Sequence, residues 1–360
     1  MSEQITTTDK KCPSCGATLK YDPATRGLSC EFCGRQVAIT QQIQPPGVGY
    51  TLEELNNAAG AHYLQKSKVA VCGTCGGRFI IQAMGITGLC PYCGSNSLNE
   101  TDEETGMLEP TGILPFQITK EQGEKIFSDW IAKARFAPAD LKTKTTYCGL
   151  TGVYVPYWVF DANTFSSYHG KFGRTYGSGD DQYTKWHKSS GVFELKVKDN
   201  IIIASQRLAG DRFWNGISKF NLNFLKKYDP DLLSGFMAER YTIDGSAAWL
   251  TSQDQIRGMI RRGIIDREVA DCVDKLEFEP EYANVRAKYI LAPVWVTSFQ
   301  YNNQIYRVLI NGQTGAITGT SPKSLRWLGK IFMIIGIVMG AIFATEILMM
   351  IIRSLMTMGR

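Results

Sequence analysis

The sequence predicts an α+β protein made of three kinds of part. These are two small cysteine-framed modules, a mixed helix and antiparallel-strand domain with an internal duplication, and one C-terminal transmembrane helix. Three observations predict it. Two cysteine quartets with the same spacing occupy the first hundred residues, helical and strand-like patterns alternate from residue 111 onward, and residues 331–352 form an almost unbroken apolar run.

The totals agree with a folded chain. At 360 residues it is long enough for two or three domains, and 44% hydrophobic with 20% charged residues excludes general disorder. A net charge of +5 is below that of a dedicated nucleic-acid binder. The opening MSEQITTTDKK has no apolar core, so no secretory signal is expected and the N-terminal part is assigned to a reducing compartment. Ten cysteines in such a compartment point to metal.

The first quartet is Cys12, Cys15, Cys30 and Cys33; the second is Cys72, Cys75, Cys90 and Cys93, each sixty positions after its counterpart. Two cysteines three apart on a tight turn aim both sulfurs at one ion, and each pair is followed by glycine (Gly16, Gly34, Gly76, Gly94), which tolerates a positive φ. Four thiolates close a tetrahedral Zn²⁺ shell with no open position, so two structural zinc ions are expected and no zinc catalysis. The same ligand set holds iron, and a disulfide framework would need an oxidising compartment. Cys148 and Cys272 remain, read as inert thiols in apolar stretches. The ribbons span 10–40 and 71–98, joined by a linker with a short helix over 41–70. There TLEEL forms a capping box between Thr51 and Glu54.

Other chemistries find little support. A phosphate loop needs Gly-Lys-Ser/Thr, and the Gly-Lys pairs at Gly170-Lys171 and Gly329-Lys330 continue with Phe and Ile. Ribbon 1 carries Lys10, Lys11, Lys20, Arg26 and Arg35, which would offset the charge of a Zn(Cys)₄ centre; ribbon 2 carries Arg78. Neither shows the basic and aromatic strip that stacks bases. His62, His169 and His187 are the histidines. His169 and His187 flank a glycine-rich stretch containing Asp180 and Asp181, read as a solvated hairpin tip rather than a site.

An acidic linker over 99–110 leads to the α+β domain, 111–322. Ile126, Phe127, Trp130, Ile131 and Ala134 share a helical face, and GLTGVYVPYWVFDANTFSSYHGKFG with GVFELKVKDNIIIASQRLAG reads as strands and hairpins. Tyr228-Asp229-Pro230 reads as a turn. A second long helix is expected over TSQDQIRGMIRRGIIDREVADCVDKL, followed by strands with turns at Asn302-Asn303 and Asn311-Gly312. Pro156-Tyr157-Trp158-Val159 and Pro293-Val294-Trp295-Val296 share P-x-W-V, each after a long helix. This suggests a degenerate duplication with the tryptophans as core anchors.

The span is placed at 329–352, with a short tail over 353–360. Ile331 to Ile352 is roughly 33 Å long as a helix, against about 30 Å of hydrocarbon. Twelve Leu, Ile, Phe or Val residues contribute about −4 to −7 kcal/mol, more than the roughly +3 kcal/mol for a central acidic residue such as Glu346. Gly336, Gly340 and Ala344 fall four apart, a small-residue stripe that lets helices approach, with Glu346 off the stripe facing a protein partner. The thiolate-rich bulk sets the orientation as cytoplasmic, making a single-pass, tail-anchored protein of the cell membrane.

The ribbons, LPFQITKEQGEKIFSDWIAKARFAP, GVYVPYWVFDA, LAPVWV and YRVLINGQTGAITGTSP before one C-terminal span resemble a bacterial zinc-ribbon membrane-protein family. Its members are often labelled primosomal-helicase-like or transcription-factor-type zinc-ribbon proteins. The resemblance implies partners at the membrane, since relatives lie beside a phage-shock protein A homologue and an SPFH (flotillin-like) protein. The expectation is therefore a non-enzymatic scaffold or adaptor that docks proteins at the membrane, in an envelope-stress setting. The alternative is a membrane-tethered nucleic-acid binder.

Overall fold

A computed structural model describes residues 10–39, 47–58, 67–80, 90–103, 108–134, 137–138, 140–141, 146–147, 149–210, 212–302, 304–322, 333–345, 347 and 350. His62 and Cys148 lie outside the described residues, as do Glu346 and the whole of the tail, 353–360.

The cysteine modules differ in how they are mounted. Ribbon 1 has its own three-stranded sheet, β1 (Lys20–Asp22), β2 (Gly27–Ser29) and β3 (Gln36–Val37). After helix α1 (Leu52–Ala58), ribbon 2 supplies β4 (Ser67–Cys72), β5 (Arg78–Ile80) and β6 (Leu98–Glu103) to the main twelve-stranded sheet. Ribbon 2 is therefore continuous with the body, and the stretch expected as an acidic linker begins with a strand, because Leu98–Glu103 pairs antiparallel with Ser67–Cys72. The Thr51/Glu54 capping box forms: Thr51 N–H donates to Glu54 at 2.6 Å, and Glu54 N–H donates to the Thr51 hydroxyl at 3.1 Å.

The body follows as β7 (Gly112–Ile113), α2 (Lys120–Ala132), β8 (Thr146–Tyr147), β9 (Thr151–Tyr176), β10 (Tyr183–Ile203), α3 (Arg212–Ile217), β11 (Lys226–Lys227), β12 (Met237–Glu239), α4 (Gly245–Arg267), β13 (Cys272–Tyr301), β14 (Gln304–Asn311) and β15 (Ile317–Gly319). Thr119 and Gln122 cap α2 reciprocally, and the Asp229 side chain starts a 3₁₀ turn at Pro230–Leu233. Helix α4 starts at an Asp244 cap and ends nine residues before the sequence pattern suggested. From Cys272 the chain is strand, since its apolar residues there meet β9 across a sheet. The buried Ala248, Trp249, Ser252, Ile256, Ile260 and Ile264 of α4 recur at helical spacing.

Burial changes along β9. Residues 152–160 are buried without interruption, as expected of a strand covered on both faces, whereas from Asp161 burial largely alternates, as in a sheet covered on one side. The doubly covered segment lies against the equally buried 289–299 of β13, with Tyr154 opposite Pro293 and Pro156 opposite Leu291.

The surroundings of the two P-x-W-V motifs correspond. Short strand β12 runs parallel to β9 at Val153–Tyr154, and β7 runs parallel to β13 at Ile290–Leu291, 137 positions later. Pro156 accepts from Ala204 N–H at 3.0 Å, and Pro293 accepts from Gly312 N–H at 2.9 Å. The Trp158 indole donates to Ile243 O at 2.9 Å, just before the α4 cap, and Trp295 donates to Ile118 O at 3.0 Å, just before the α2 cap. The first half's strands thus hold the second half's helix, and the reverse.

Candidate metal centres

The eight cysteines form two clusters. In each, one sulfur from every residue lies within 4.8 Å of the others. Cys12 to Cys33 and Cys15 to Cys30 are 3.5 Å apart; Cys72 to Cys93 and Cys75 to Cys90 are 3.6 Å apart. A metal bound to four thiolates at about 2.3 Å sets its sulfurs roughly 3.8 Å apart, so both clusters fit a tetrahedral ion. They could hold two metal ions, and four protein ligands leave no coordination position for substrate.

The turns explain the fit. All four pairs fold alike, with the glycine N–H donating to the carbonyl of the first cysteine at 2.8 or 2.9 Å and φ between +69° and +75° at Gly16, Gly34, Gly76 and Gly94. The first cysteine of each pair also donates its own N–H to the residue after the glycine. This curls the backbone so that its N–H groups face the sulfur. Those of Ser14 and then Cys15 hold the Cys12 thiol down at about 6, despite the opposing effect of burial, and Cys33 and Phe32 lower Cys30 in the same way. At Cys90 burial wins and pushes the thiol up. Cys15, Cys33 and Cys93 are raised too, so within each cluster some thiols are held toward the thiolate and others, buried or crowded by their neighbours, toward the thiol.

Ribbon 1 sits on the 3₁₀ turn of the body. Tyr21 N–H donates to Ser234 O at 3.0 Å, the Ser234 hydroxyl donates to Leu19 O at 2.6 Å, and Lys10 pairs with Asp231. Lys20 pairs with Glu31 at 2.6 Å, and Arg35 donates to Ser14 at 2.7 Å. Much of the basic charge counted in the sequence is therefore committed to neighbours.

Ribbon 2 is tied in more deeply. Tyr92, between Cys90 and Cys93, is 1% exposed; its hydroxyl donates to Glu239 at 2.5 Å and its ring meets Phe79 and Trp214. Glu239 also accepts from the Ser205 hydroxyl at 2.7 Å. Burial pushes this carboxyl up to about 7, opposed by the two hydroxyl donors and by Arg207. Arg207 lies 4.1 Å over the Tyr92 ring and donates to Cys75 O at 3.3 Å. A cleft of about 610 Å³ opens here, lined by Arg78, Arg207, Arg240 and Glu239 beside the Cys75 turn. Of these residues the ribbon 2 sequence itself supplies only Arg78; the others arrive from distant positions, with no local signal to find them.

The remaining candidates do not assemble. His169 and His187 project from opposite faces of the β9–β10 hairpin. His169 pairs with Glu277 at 2.7 Å and His187 with Glu268 at 3.4 Å, while Asp180 and Asp181 form the hairpin turn. Cys272 is half-buried at the start of β13, with its sulfur 3.6 Å from Gly173 O. Trp158 and Trp295 are core residues, 0% and 5% exposed.

Of the proposed span, residues 333–345 are described as helix with every side chain exposed, and nothing stands within 4 Å of a Cβ built on Gly336 or Gly340. No helix among the described residues is long and apolar enough to cross a membrane, and Glu346 falls outside them.

No family model and no solved structure matches the chain. Among curated proteins it is similar to the uncharacterized protein YdjG of Bacillus subtilis (strain 168), with 25% identity over 319 residues, 87% of this chain and 90% of that protein.

Proposed function

We propose that the chain is a non-enzymatic scaffold, anchored in the cell membrane by its C-terminal helix, whose zinc ribbons dock partner proteins on the cytoplasmic side. One contrast carries this reading. Phe32 and Tyr92 occupy the same position of their ribbons, sixty residues apart. Tyr92 is 1% exposed and locks ribbon 2 into the body, whereas Phe32 is 83% exposed on ribbon 1. An open aromatic ring on a metal-stiffened turn has the makeup of an interface anchor, because it brings a large apolar contact at small entropic cost.

The metal in this reading is zinc, two ions, each structural because its four thiolate ligands are complete. Binding free energy is then folding free energy for ribbon 1, the more independent module. The apolar run from Ile331 supplies the anchor, with Gly336, Gly340 and Ala344 as an association stripe and Glu346 turned to a partner. The sequence resemblance names the partner class: a phage-shock protein A homologue or a flotillin-like protein, in envelope stress.

The test is affinity purification of the full-length protein from gently solubilised native membranes, with and without nuclease. Wild type should carry about two zinc ions per chain and retain its protein partners after nuclease. Cys12→Ser with Cys15→Ser should lose one ion and those partners while staying in the membrane fraction. Retained partners after metal loss would refute docking by ribbon 1. Partners lost on nuclease treatment would favour the nucleic-acid alternative, which also predicts steep salt dependence.

A further inference from the structure

The two cysteine clusters share a ligand set but differ in their access to solvent. In ribbon 1, Cys15 and Cys33 are exposed while Cys12 and Cys30 are buried. Each exposed sulfur lies 3.5 Å from a buried one, Cys33 from Cys12 and Cys15 from Cys30. Ribbon 2 has the same close pairs, Cys93 with Cys72 and Cys75 with Cys90, both at 3.6 Å. There, however, Cys75 and Cys93 are half-buried and pack against the body's core. Cys75 borders the cleft described above, where Arg207 holds its carbonyl.

The mounting differs in the same direction. A disulfide asks two sulfurs now 3.5 Å apart to approach by about 1.5 Å. In ribbon 1 the second turn can make that move within its own module, because Glu31 pairs with Lys20 and Arg35 with Ser14, both inside the ribbon. In ribbon 2 the first turn closes β4, which β5 and β6 pair on either side, and the second turn is pinned by Tyr92. An accessible cysteine sulfur with a second sulfur poised beside it is the arrangement that peroxide oxidises to a disulfide. Ribbon 1 has this arrangement twice; ribbon 2 has the pairs without the access.

We infer that ribbon 1 is a reversible oxidation site for hydrogen peroxide, and that ribbon 2 is protected from the same reaction. An exposed sulfur, Cys15 or Cys33, attacks the peroxide and breaks its O–O bond. One oxygen stays on the sulfur as a sulfenic acid, and the other takes a proton and leaves as water. The buried neighbour, Cys30 or Cys12, then attacks that sulfur. The S–S bond forms, the S–O bond breaks, and the departing hydroxide takes a proton. Two peroxides thus accept four electrons and turn the four thiolates into two disulfides, Cys15–Cys30 and Cys12–Cys33, which no longer hold a metal ion. A dithiol reductant returns the thiolates. One consequence rests on the docking reading above: loss of the metal undoes the turn that presents Phe32 and so releases the partner.

The test adds hydrogen peroxide to the full-length, zinc-loaded protein in mild detergent and follows released zinc with a chromogenic chelator. One ion should leave first and the other at least about tenfold more slowly, because a covered sulfur must wait for local opening. After the first phase, alkylation and peptide mapping should find Cys12, Cys15, Cys30 and Cys33 in disulfides and the four cysteines of ribbon 2 alkylated. A sulfenic-acid trap at early times should label Cys15 and Cys33 rather than Cys12 and Cys30. Dithiothreitol with added zinc should restore the lost ion. Release of both ions at one rate, release from ribbon 2 first, or ribbon 1 thiols that remain alkylatable after their ion has gone would each overturn the inference. If the disulfides form as described and partner capture is unchanged, the oxidation site stands and docking by ribbon 1 falls.

Discussion

Replacing Glu239 by glutamine should reshape the dependence of stability on pH. The carboxyl is 2% exposed, takes hydroxyl donors from Tyr92 and Ser205, and titrates at about 7 in the folded chain against an ordinary 4.5. Below pH 4.5 both folded and unfolded chains hold the proton. Between 4.5 and 7 only the folded chain holds it, so each pH unit removes about 1.4 kcal/mol of stability, about 3 kcal/mol over the window. The stabilisation is complete at acid pH and lost as pH rises through 7. The amide of the Glu239→Gln protein has no such proton to lose. It offers one carbonyl acceptor and one amide donor, to which a hydroxyl can turn its oxygen, so the substitution should cost about 1 kcal/mol at pH 5. It should become net stabilising by about 2 kcal/mol at pH 8. The assay is urea unfolding of both proteins at saturating zinc across this range. The cysteine thiols titrate in both and largely cancel in the difference. Parallel stability profiles would refute the reasoning, since they would mean that Arg207 and the two hydroxyls keep the carboxylate ionised throughout.

The two ribbons should answer the same substitution differently. Tyr92→Ala removes a buried ring and leaves Glu239 short of a donor, so a loss of about 3–5 kcal/mol is expected in chemical unfolding. Phe32→Ala should change stability by less than about 0.5 kcal/mol while weakening capture of the protein partners. The two P-x-W-V motifs make a matched pair: Trp158→Phe and Trp295→Phe each strand a carbonyl just before a helix cap. Each should cost about 1–3 kcal/mol in the same unfolding assay, and a cost confined to one of them would argue against equivalent halves.

What the sequence disclosed follows from where the determining interactions lie. A metal turn is local: two sulfurs, one glycine and a few backbone hydrogen bonds lie within six residues, so the spacing announced all four turns. The capping box at Thr51 is local in the same sense. Partnership is not local. Nothing near Leu98–Glu103, an acidic and polar stretch, says that it will pair with Ser67–Cys72, because an edge strand with solvent on one side can be polar and charged. The boundary after α4 was missed for a related reason. Residues 268–276 have helical composition, but β9 pairs with Cys272, Val273, Lys275 and Leu276, and tertiary pairing overrides propensity.

The P-x-W-V repeat lies between these cases. The motif was legible, and its tryptophans proved to be anchors, yet which helix each indole holds could not be read from order along the chain. Both halves place a helix before their strands, so adjacency suggests that each half packs on itself. The observed arrangement crosses over because β7 pairs with β13 and β12 pairs with β9, carrying α2 and α4 to the opposite hairpins. A consequence follows for the ribbons. β12 pairs with β5 on one side and β9 on the other, so ribbon 2 is fastened to a strand that belongs to the second half and completes the first. Loss of its metal should therefore loosen the junction of both halves, whereas ribbon 1, with a sheet of its own, should come apart with little effect beyond its contacts near Ser234. The repeated cysteine motif thus has two physical roles, one joining the body together and one leaving a stiff, open face toward whatever it meets.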